Sequence, residues 1–309
     1  MGRFKSIGDG LLDLSQITRN AAPAFASMTF PAFRPLLLRA APESDVVAVG
    51  AWRRGIPIGL GLGRILPGEA SEALSIFVAA GYRRADIATK LLTRLQQLLA
   101  ERGCKSCELV YMTEGASTVA LERLLEKCGW PPSQLRMMVF KFDRTIMQAR
   151  WIHACKLPPA FEVFFWTDLT SAERLALCRS QEEQKWIPEY LVPFQYERDM
   201  DASNSLGLRW RGDVVGWVIT HRIAVDTVRY TSLFVRQDLQ RAGRGILLLA
   251  ESIRIQAREL GLDSFGICSV RPNNKAMLTF LQRHAPSASV RETRGTRKSL
   301  TPGAVQKSS

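Results

Sequence analysis

Apolar runs with the composition of a β-strand are followed along the chain by runs with helical spacing. Residues Tyr230–Val235 are rich in β-branched and aromatic types, which is typical of a strand. After a polar segment that carries glycines, Ile246, Leu249 and Ile253 recur at the spacing of one helix face. This pattern predicts a strand, a turn and a long helix that ends near residue 260.

The same order of elements occurs twice, which predicts two copies of one α/β unit. In each copy a hairpin precedes the strand, turning at Arg53–Gly55 in the first and at Arg211–Asp213 in the second. The paired ranges that follow are Leu74–Val78 with Thr231–Val235, Arg83–Ala88 with Gln240–Gly245, Thr89–Arg102 with Ile246–Leu260, Glu108–Tyr111 with Phe265–Cys268, and Thr118–Lys127 with Asn274–Arg283.

The turn of the second copy predicts an anion-binding site. Glycines let backbone N–H groups approach phosphate oxygens, and a helix start offers unpaired donors and a positive dipole end. The glycine order differs from that of a dinucleotide-binding fold, and the Gly-Lys-Ser/Thr of a nucleotide P-loop is absent. The turn reads Gln240-Arg241-Ala242-Gly243-Arg244-Gly245.

In its strand–turn–helix setting this turn resembles the acetyl-CoA-binding motif Gln/Arg-x-x-Gly-x-Gly/Ala of the GCN5-related N-acetyltransferase (GNAT) superfamily. Gln240, Gly243 and Gly245 stand at the matching positions. The resemblance extends over residues 44–143 and 161–286 and implies a tandem GNAT protein. The implied fold class is α/β, with two tandem GNAT-like domains that each hold a mixed, mostly antiparallel sheet flanked by helices.

These boundaries predict four segments. An N-terminal GNAT-like domain is expected over residues 1–143, a linker over 144–160 and a C-terminal GNAT domain over 161–290. Prolines stiffen the end of the linker, and its apolar residues predict that it packs against a domain. The last segment, 291–309, is basic and rich in Ser, Thr and Gly, which predicts a disordered tail.

The two copies differ at the central glycine of the motif, where the first copy has Asp86. A carboxylate there would repel a pyrophosphate, so we expect the first copy to bind CoA poorly or not at all and to act as a scaffold. The other interpretation is that Asp86 caps the following helix. In the same copy, the glycine-dense run Gly59–Gly63 predicts either room for a ligand or a bulged strand with close backbone packing.

The resemblance implies which residues of the second copy contact the donor. The backbone of the strand would pair with pantetheine and place the acyl carbonyl near Leu233 or Phe234. Phe280 stands where the family carries a tyrosine that protonates the thiolate, so water or another group replaces that acid, or the thiolate leaves unassisted. The expected donor-binding residues are Leu233, Phe234, Val235, Gln240, Arg241, Ala242, Gly243, Arg244, Gly245, Asn273, Asn274 and Phe280.

An amine nucleophile must lose a proton, so a general base is useful. The candidates are Glu189 and His221, while Asp238 fits a surface turn better. Candidate acids or acceptor contacts, with less weight than the bases, are Tyr190, Tyr196 and Tyr230. The region 186–194 is aromatic and aliphatic, which indicates either core packing or a hydrophobic channel for a longer acyl chain.

Charge and composition limit the classes of molecule that the protein is expected to bind. The 309 residues suit two domains, and the net charge of +13, from 42 Lys and Arg against 29 Asp and Glu, attracts polyanions. Candidates are the phosphates of coenzyme A, an acidic acyl carrier protein, an acidic peptide and nucleic acid. Nucleic acid is not favoured, because the sequence lacks zinc-finger spacing, an RNP motif and a basic–aromatic stripe.

Other features point to a reducing cytoplasm. The sequence has no apolar run of about 18 residues that could span a membrane, and Met1–Asp13 lacks the apolar stretch of a secretory signal. Six cysteines in so long a chain do not make a disulfide framework. Cys104 and Cys107 predict buried thiols, because no second pair accompanies them as in a zinc site. No metal is expected.

Taken together, these patterns predict an N-acyltransferase. The donor would be acetyl-CoA, a longer acyl-CoA or an acyl carrier protein, and the acceptor a primary amine of a small molecule, a peptide or a protein. A long-chain acyl group on a peptide or protein amine fits the apolar region. The alternative is a CoA-binding pseudoenzyme or scaffold protein without turnover, which the missing tyrosine and the altered first copy favour.

Overall fold

The structure, a computed structural model, describes residues 12–113, 115–154, 156–240 and 243–300, without the side chains of 115 and 116. The chain forms two compact units. Unit 1 contains the residues up to Arg136 together with those from Thr293 onward, and unit 2 contains Met137–Glu292. Strands and helices are numbered in chain order.

Unit 1 is a sheet packed against a long amphipathic helix. All neighbouring strands are antiparallel except β4 and β5, which are parallel. In sheet order the strands are β1 (Leu12–Gln16), β2 (Val46–Arg53), β3 (Ile56–Leu66), β4 (Ala70–Val78), β5 (Ser106–Met112) and the part of β12 (Ser289–Ser299) from Thr293 on. The helices are α1 (Arg34–Leu37), α2 (Ile87–Glu101) and α3 (Gly115–Lys127).

The glycine-dense run of β3 is explained by close packing. A Cβ on Gly59 would lie 2.9 Å from Leu91 Cδ1 on α2, and one on Gly63 would lie 3.0 Å from the carbonyl oxygen of Glu72. The pairing with β4 also shifts register between Leu62 and Gly63. The glycines therefore let α2 and β4 approach the strand, as the bulged-strand interpretation predicts, and leave no room there for a ligand.

Unit 2 repeats this plan. Its one parallel pair is β10 with β11, and the other neighbours are antiparallel. In sheet order the strands are β6 (Gln134–Phe142, from Met138 on), β11 (Phe265–Val270), β10 (Thr227–Val235), β9 (Asp213–Ala224), β8 (Leu206–Trp210) and β7 (Phe161–Phe165). The helices are α4 (Arg150–Ala154), α5 (Ser171–Gln184), α6 (Gln237–Gln240), α7 (Arg244–Leu260) and α8 (Lys275–His284).

Alternation along β9 divides unit 2 into two cores. Val218 packs with α7, whereas its neighbours Trp217 and Ile219 pack on the opposite face with α5 and the 3-10 turns that follow it. Since successive strand residues point to opposite faces, the sheet separates an α7 face from a second face, called here the aromatic face. Both units are mixed, mostly antiparallel sheets flanked by helices, which confirms the predicted fold class.

The prediction of a disordered tail from residue 291 is wrong for residues 291–299, which belong to β12. Residues 293–299 pair with Ser106–Met112, and the Thr296 hydroxyl donates to the carbonyl of Pro131 over 2.7 Å. Arg294 Nη1 lies 3.2 Å from Glu122 Oε1. The basic residues that made the segment look disordered thus find acidic partners and a strand edge. Residues 301–309 lie outside the described part of the chain.

The strand pairings also depart from the predicted domain boundaries. Residues 138–142, which were assigned to the first domain, pair with β11 in unit 2, and the last strand of unit 1 is supplied by residues after 292. The segment after β6 is packed, as its apolar residues predict, because Ile152 is fully buried against the α7 face. Cys155 lies outside the described residues.

The described residues contain no helix long and apolar enough to cross a bilayer. Cys104 and Cys107 are buried, as expected from the sequence, and burial raises the pKa of the Cys107 thiol to about 11. Such a thiol stays protonated and unreactive near neutral pH.

Glu173, at the start of α5, is expected to make the stability of unit 2 sensitive to acid. Its carboxylate caps Thr170 and accepts from Arg209 Nε over 2.6 Å, and the bond to Arg209 lowers the pKa of Glu173 from 4.5 to about 2. A depressed folded-state pKa stabilises the fold above the unfolded value, and this contribution is lost as pH falls from about 4.5 toward 2.

We therefore expect Glu173→Gln to lower Tm at pH 7 and to flatten the fall of Tm between about pH 4.5 and 2. Thermal unfolding across that range measures both effects. Glu182→Gln, an exposed residue of the same helix, is the matched control and should behave as wild type. Equal Tm profiles for the wild type and Glu173→Gln would contradict the assignment.

Candidate donor and acceptor site

An opening in the sheet of unit 2 lies between the two parallel strands. β10 and β11 pair only from Thr227 with Phe265 to Tyr230 with Cys268, although β10 continues to Val235 and β11 to Val270. The register of β10 on β9 also shifts between Tyr230 and Ser232, which places Thr231 in a bulge. Beyond Tyr230 the edge of β10 no longer pairs with β11, so it can pair with an extended ligand.

A cavity of about 180 Å³ lies at this opening. Most of its wall is apolar, with polar groups on the remaining side, as in small-molecule sites. The apolar wall includes Leu233, Leu249, Ile253, Val270, Met277 and Leu281. The polar side includes Tyr190, Tyr196, Thr231, Ser269, Arg271 and Asn274.

The predicted anion-binding turn joins β10 to α7. Gly243 precedes the first residue of α7 with φ 73° and ψ 17°, a left-handed conformation that favours glycine. Gln240 Nε2 donates to the carbonyl of Val235 over 2.7 Å and so ties the turn to the end of β10. The free N–H groups at the start of α7 can bind an anion. Arg241 and Ala242 lie outside the described residues.

Gly245 and Arg244 matter less than Gly243 for the geometry of this turn. A Cβ on Gly245 would lie 3.8 Å from Val235 Cγ2, which is ordinary contact, so the need for glycine rests on the backbone of Gly243. The Arg244 guanidinium lies 4.7 Å from the centre of the Phe161 ring. That cation–π contact points Arg244 along the α7 face toward β7.

The three predicted donor residues of β10 have different surroundings. Leu233 lines the cavity. The side chain of Phe234 packs on the aromatic face, 5.1 Å from the Trp217 ring and 5.6 Å from the Trp186 ring, so only its backbone could meet a ligand. Val235 is buried against the α7 face.

At the start of α8 the structure separates three predicted residues. Asn274 lines the cavity, and its Oδ1 accepts from the Met277 N–H over 3.2 Å, which caps the helix. Asn273 is exposed in the preceding turn. Phe280 packs edge-on to Trp151 with ring centres 5.1 Å apart, so an apolar pair lies where the resemblance implies a tyrosine acid.

Of the two candidate bases, His221 is connected to the cavity. Its Nδ1 lies 2.8 Å from Thr231 Oγ1, and its Nε2 lies 3.1 Å from the carbonyl oxygen of Arg198. A carbonyl only accepts, so Nε2 carries the proton and Nδ1 is left to accept from the threonine hydroxyl. This tautomer is inferred from the bonding partners.

Glu189 is exposed in a 3-10 turn, Glu189–Leu191, and is not among the cavity-lining residues. The neighbouring Tyr190 lines the cavity, and the Arg271 guanidinium lies 3.9 Å from its ring centre. The Tyr196 hydroxyl donates to the carbonyl of Tyr190 over 2.8 Å. The structure thus brings Tyr190 and His221 toward the opening and leaves Glu189 outside it.

The apolar region 186–194 is chiefly core. Trp186, Ile187 and Phe194 pack with Trp217 on the aromatic face, whereas Tyr190 and Leu191 reach the cavity wall. Asp238 is exposed and its Oδ1 lies 2.8 Å from Arg236 Nε, as expected of a surface turn residue.

Sequence reasoning missed several cavity residues, chiefly Thr231, Arg271, Ile146 and Trp151. Thr231 looked like any strand threonine, because a bulge in one strand leaves no local signal. The pairing of β9 with β10, and the register shift within it, bring Thr231 against His221. Ile146 and Trp151 come from the segment assigned as a linker, so only the packing of that segment reveals them.

Unit 1 has a corresponding opening. β4 and β5 pair only from Ala70 with Ser106 to Ala73 with Leu109, and a cleft of about 760 Å³ follows. Asp86 precedes α2 with φ 60° and ψ 11°, nearly the conformation of Gly243. Residues lining the cleft include Ile76, Val78, Arg83, Asp86, Leu121 and Lys127.

The Asp86 carboxylate faces a cation of its own unit. Its Oδ1 accepts from Lys127 Nζ over 2.5 Å, and this bond lowers the pKa of Asp86. The side chain makes no capping bond to α2, so the capping interpretation is wrong in its detail. The position that offers bare backbone in unit 2 thus holds a charged pair in unit 1.

Comparison with known proteins gives one family. The model of the acetyltransferase (GNAT) family matches residues 13–130 and 166–285, which together make up most of the chain. Its members are acyltransferases that use acyl-CoA donors and amine acceptors. Comparison with curated proteins gives no significant match.

Solved structures share the fold over most of the chain. A tandem GNAT protein from the clavulanic acid biosynthesis pathway, solved without AcCoA, is 12% identical with a TM-score of 0.67 over 95% of this chain and 100% of its own. A GCN5-related N-acetyltransferase from Sphaerobacter thermophilus is 18% identical with a TM-score of 0.60 over 97% and 98%.

A third similar structure is the glucosamine N-acetyltransferase region of a fungal multi-domain GH3 β-N-acetylglucosaminidase. It is 14% identical with a TM-score of 0.65 over 94% of this chain and 38% of that protein. This chain therefore spans well under half of that relative. Identities this low show the fold and not the substrate.

Proposed function

The chain belongs to the acetyltransferase (GNAT) family, and from that premise we propose that unit 2 transfers an acyl group from a CoA or carrier-protein thioester to a primary amine. The observation that carries the proposal is the sheet opening beyond Tyr230, on the strand that leads into the turn with the left-handed Gly243 at the start of α7. One end of an extended thioester can bind as an anion while its arm pairs with the free edge of β10.

The donor residues would then have distinct roles. The N–H groups after Gly243 bind the pyrophosphate, and Gln240 holds the turn against Val235. Leu233 and Phe234 contribute backbone groups to the arm and the acyl carbonyl. Asn274 orders the start of α8 beside the thioester, and Trp151, against which Phe280 packs, belongs to the apolar wall of the cavity.

The size and the apolar lining of the cavity favour acyl groups larger than acetyl. Its volume of about 180 Å³ and its apolar wall compare with an engineered apolar cavity of about 150 Å³ that holds benzene. The net charge of +13 supports an anionic donor such as coenzyme A or an acidic carrier protein. The amine would enter from the aromatic face, where Tyr190 and Tyr196 border the opening.

Unit 1 is proposed as a scaffold with little or no donor affinity. Lys127 already neutralises Asp86, so the start of α2 offers an anion less net attraction than the start of α7. If a pyrophosphate bound at this turn as proposed for Gly243, the Asp86 carboxylate would also repel it.

A second candidate function is donor binding without turnover. Phe280 packs against Trp151 in place of a hydroxyl acid, which favours a pseudoenzyme.

A thiol-release assay distinguishes acyl transfer from donor binding without turnover. We expect the protein to release CoA from acetyl-CoA or octanoyl-CoA faster with a panel of primary amines (glucosamine, lysine, spermidine, an N-terminal peptide) than without protein. Native mass spectrometry of the same mixtures counts bound CoA. Binding without release supports the pseudoenzyme, and absence of both for CoA and for an acyl carrier protein thioester would overturn the proposal.

A further inference from the structure

Several hydroxyl groups border the cavity of unit 2, and the structure gives the partners of three. The Tyr230 hydroxyl donates to Gln256 Oε1 over 2.7 Å, and burial raises the pKa of Tyr230. The Tyr196 hydroxyl donates to the carbonyl of Tyr190. The Thr231 hydroxyl lies against His221 Nδ1 at 2.8 Å. Among these three, only the Thr231 hydroxyl bonds to a basic nitrogen.

The imidazole is held in the form that can act as a base. Because Nε2 donates to the Arg198 carbonyl, the lone pair of Nδ1 points at the Thr231 hydroxyl. Asp201, which is hydrogen-bonded to β9, does not compete for the imidazole, since Arg222 lies 3.1 Å from its Oδ2 and the Ser203 hydroxyl donates to its Oδ1. The ring is half-buried, which limits its exchange with water.

The bulge in β10 sets where Thr231 meets a substrate. The strand leaves β11 at this residue, so Thr231 borders the opening through which a thioester carbonyl would be reached. Ser232 and Phe234 bond or pack toward the aromatic face, and His221 lies across the sheet from Thr231 on β9. Thr231 borders the cavity and the imidazole bonds to it from β9, so a nucleophile in the cavity can reach the threonine hydroxyl directly.

We infer that Thr231 is the catalytic residue that receives the proton of the attacking amine and relays it to His221. The inference rests on the function proposed above and assigns the base of that reaction. His221 acts through Thr231, so its role is to position and to accept the relayed proton. Glu189, the other candidate base, has no such path to the opening.

With this relay, every bond and every proton of the acyl transfer is accounted for. The nitrogen lone pair of the neutral amine attacks the thioester carbon, and a C–N bond forms as the carbonyl oxygen becomes an oxyanion. The now cationic nitrogen gives a proton to Thr231 Oγ1 while the threonine proton passes to His221 Nδ1. The oxyanion collapses, the C–S bond breaks and the electron pair leaves on sulfur.

The same path supplies the acid. The imidazolium returns its proton through Thr231 to the thiolate, so the products are an amide and a free thiol and both side chains regain their starting protonation. Phe280 has no proton to give, and its packing on Trp151 keeps the α8 side of the opening apolar. One dyad on the other side of the opening can therefore perform both transfers.

Three variants test the relay in the amine panel. Thr231→Val keeps the β-branched shape without the hydroxyl, Thr231→Ser keeps the hydroxyl, and His221→Gln removes the base. We expect kcat/KM to fall about 100-fold in Thr231→Val and His221→Gln, and Thr231→Ser to retain activity within about 10-fold of wild type. Thr227→Val, the same change at the paired end of β10, is the matched control and should match wild type.

Two further readouts exclude a structural explanation. Hydrazine is a much weaker base than a lysine amine, so more of it is neutral at pH 7.5 and it needs less help from a base. The variants should therefore lose less activity with hydrazine than with lysine. The acidic limb of the pH–rate profile should disappear in His221→Gln and change in Thr231→Val. The charges near the imidazole, Arg229 opposite it in register and the Arg222–Asp201 pair, stay constant in every variant.

A measurement that needs no turnover distinguishes failure of the relay from failure of the proposed function. Long-range ¹H–¹⁵N spectra of the wild type should show His221 protonated at Nε2, with an Nδ1 shift that moves in Thr231→Val; the other histidines are His153 and His284. An Nδ1-protonated ring, or wild-type kcat/KM in Thr231→Val, would overturn the relay and leave the proposed function standing. If the wild type releases no thiol, the proposed function fails and the relay with it, whatever the spectra show.

Discussion

Replacing Gly243 with aspartate is expected to abolish donor binding by unit 2 without disturbing its fold. Asp86 adopts the same left-handed conformation at the same place in unit 1, so the backbone tolerates this side chain. In unit 2 the new carboxylate would face the pyrophosphate oxygens. Repulsion between like charges about 4 Å apart near a protein surface is large enough to raise Kd on the order of 100-fold or more.

Asparagine provides the matched control for the charge. Gly243→Asn has the shape of aspartate and tolerates positive φ, so it should weaken binding far less than Gly243→Asp. Isothermal titration with acetyl-CoA and octanoyl-CoA measures Kd for each variant, and circular dichroism reports the fold. Equal losses in both variants would assign the effect to bulk and contradict the electrostatic explanation.

The reverse change in unit 1 completes the comparison. Asp86→Gly frees Lys127 and bares the start of α2, so a second equivalent of donor should become visible by native mass spectrometry. If the wild type already binds two equivalents and Gly243→Asp loses one, unit 1 is a donor site in its own right and the proposed scaffold role is wrong.

Truncation after Glu292 is expected to destabilise unit 1 by several kcal/mol, a large part of the stability of a domain of this size. It removes the ladder between residues 293–299 and β5, the hydrogen bond from Thr296 to Pro131, and the ion pair of Arg294 with Glu122. β5 would become an unpaired edge.

The control truncation ends after Leu300, which packs partly against the unit 1 core. It keeps the whole of β12 and should unfold as the full chain does. Hydrogen exchange localises the effect, because amides of Ser106–Met112 should lose protection only in the shorter protein. Unchanged protection of β5 would show that β12 contributes little there.

The proposed Thr231–His221 relay and the cavity wall depend on contacts that local sequence patterns do not reveal. From the sequence, Glu189 and His221 were both candidate bases, and only the structure places His221 beside Thr231 and Glu189 in solvent. The role proposed for Thr231 depends on a register shift between two strands. Trp151 joins the cavity wall from a segment whose composition reads as a linker.

By itself the sequence determined the two α/β copies, the strand–turn–helix at Gly243 and the difference at Asp86. These depend on short-range properties: residue spacing that sets which faces are apolar, and a backbone conformation that glycine and aspartate can adopt. Only the tertiary structure decided that residues 293–299 complete the sheet of unit 1 and that His221 meets Thr231. Both depend on strand register between segments distant in sequence, which long-range packing selects and which overrides the composition of either segment.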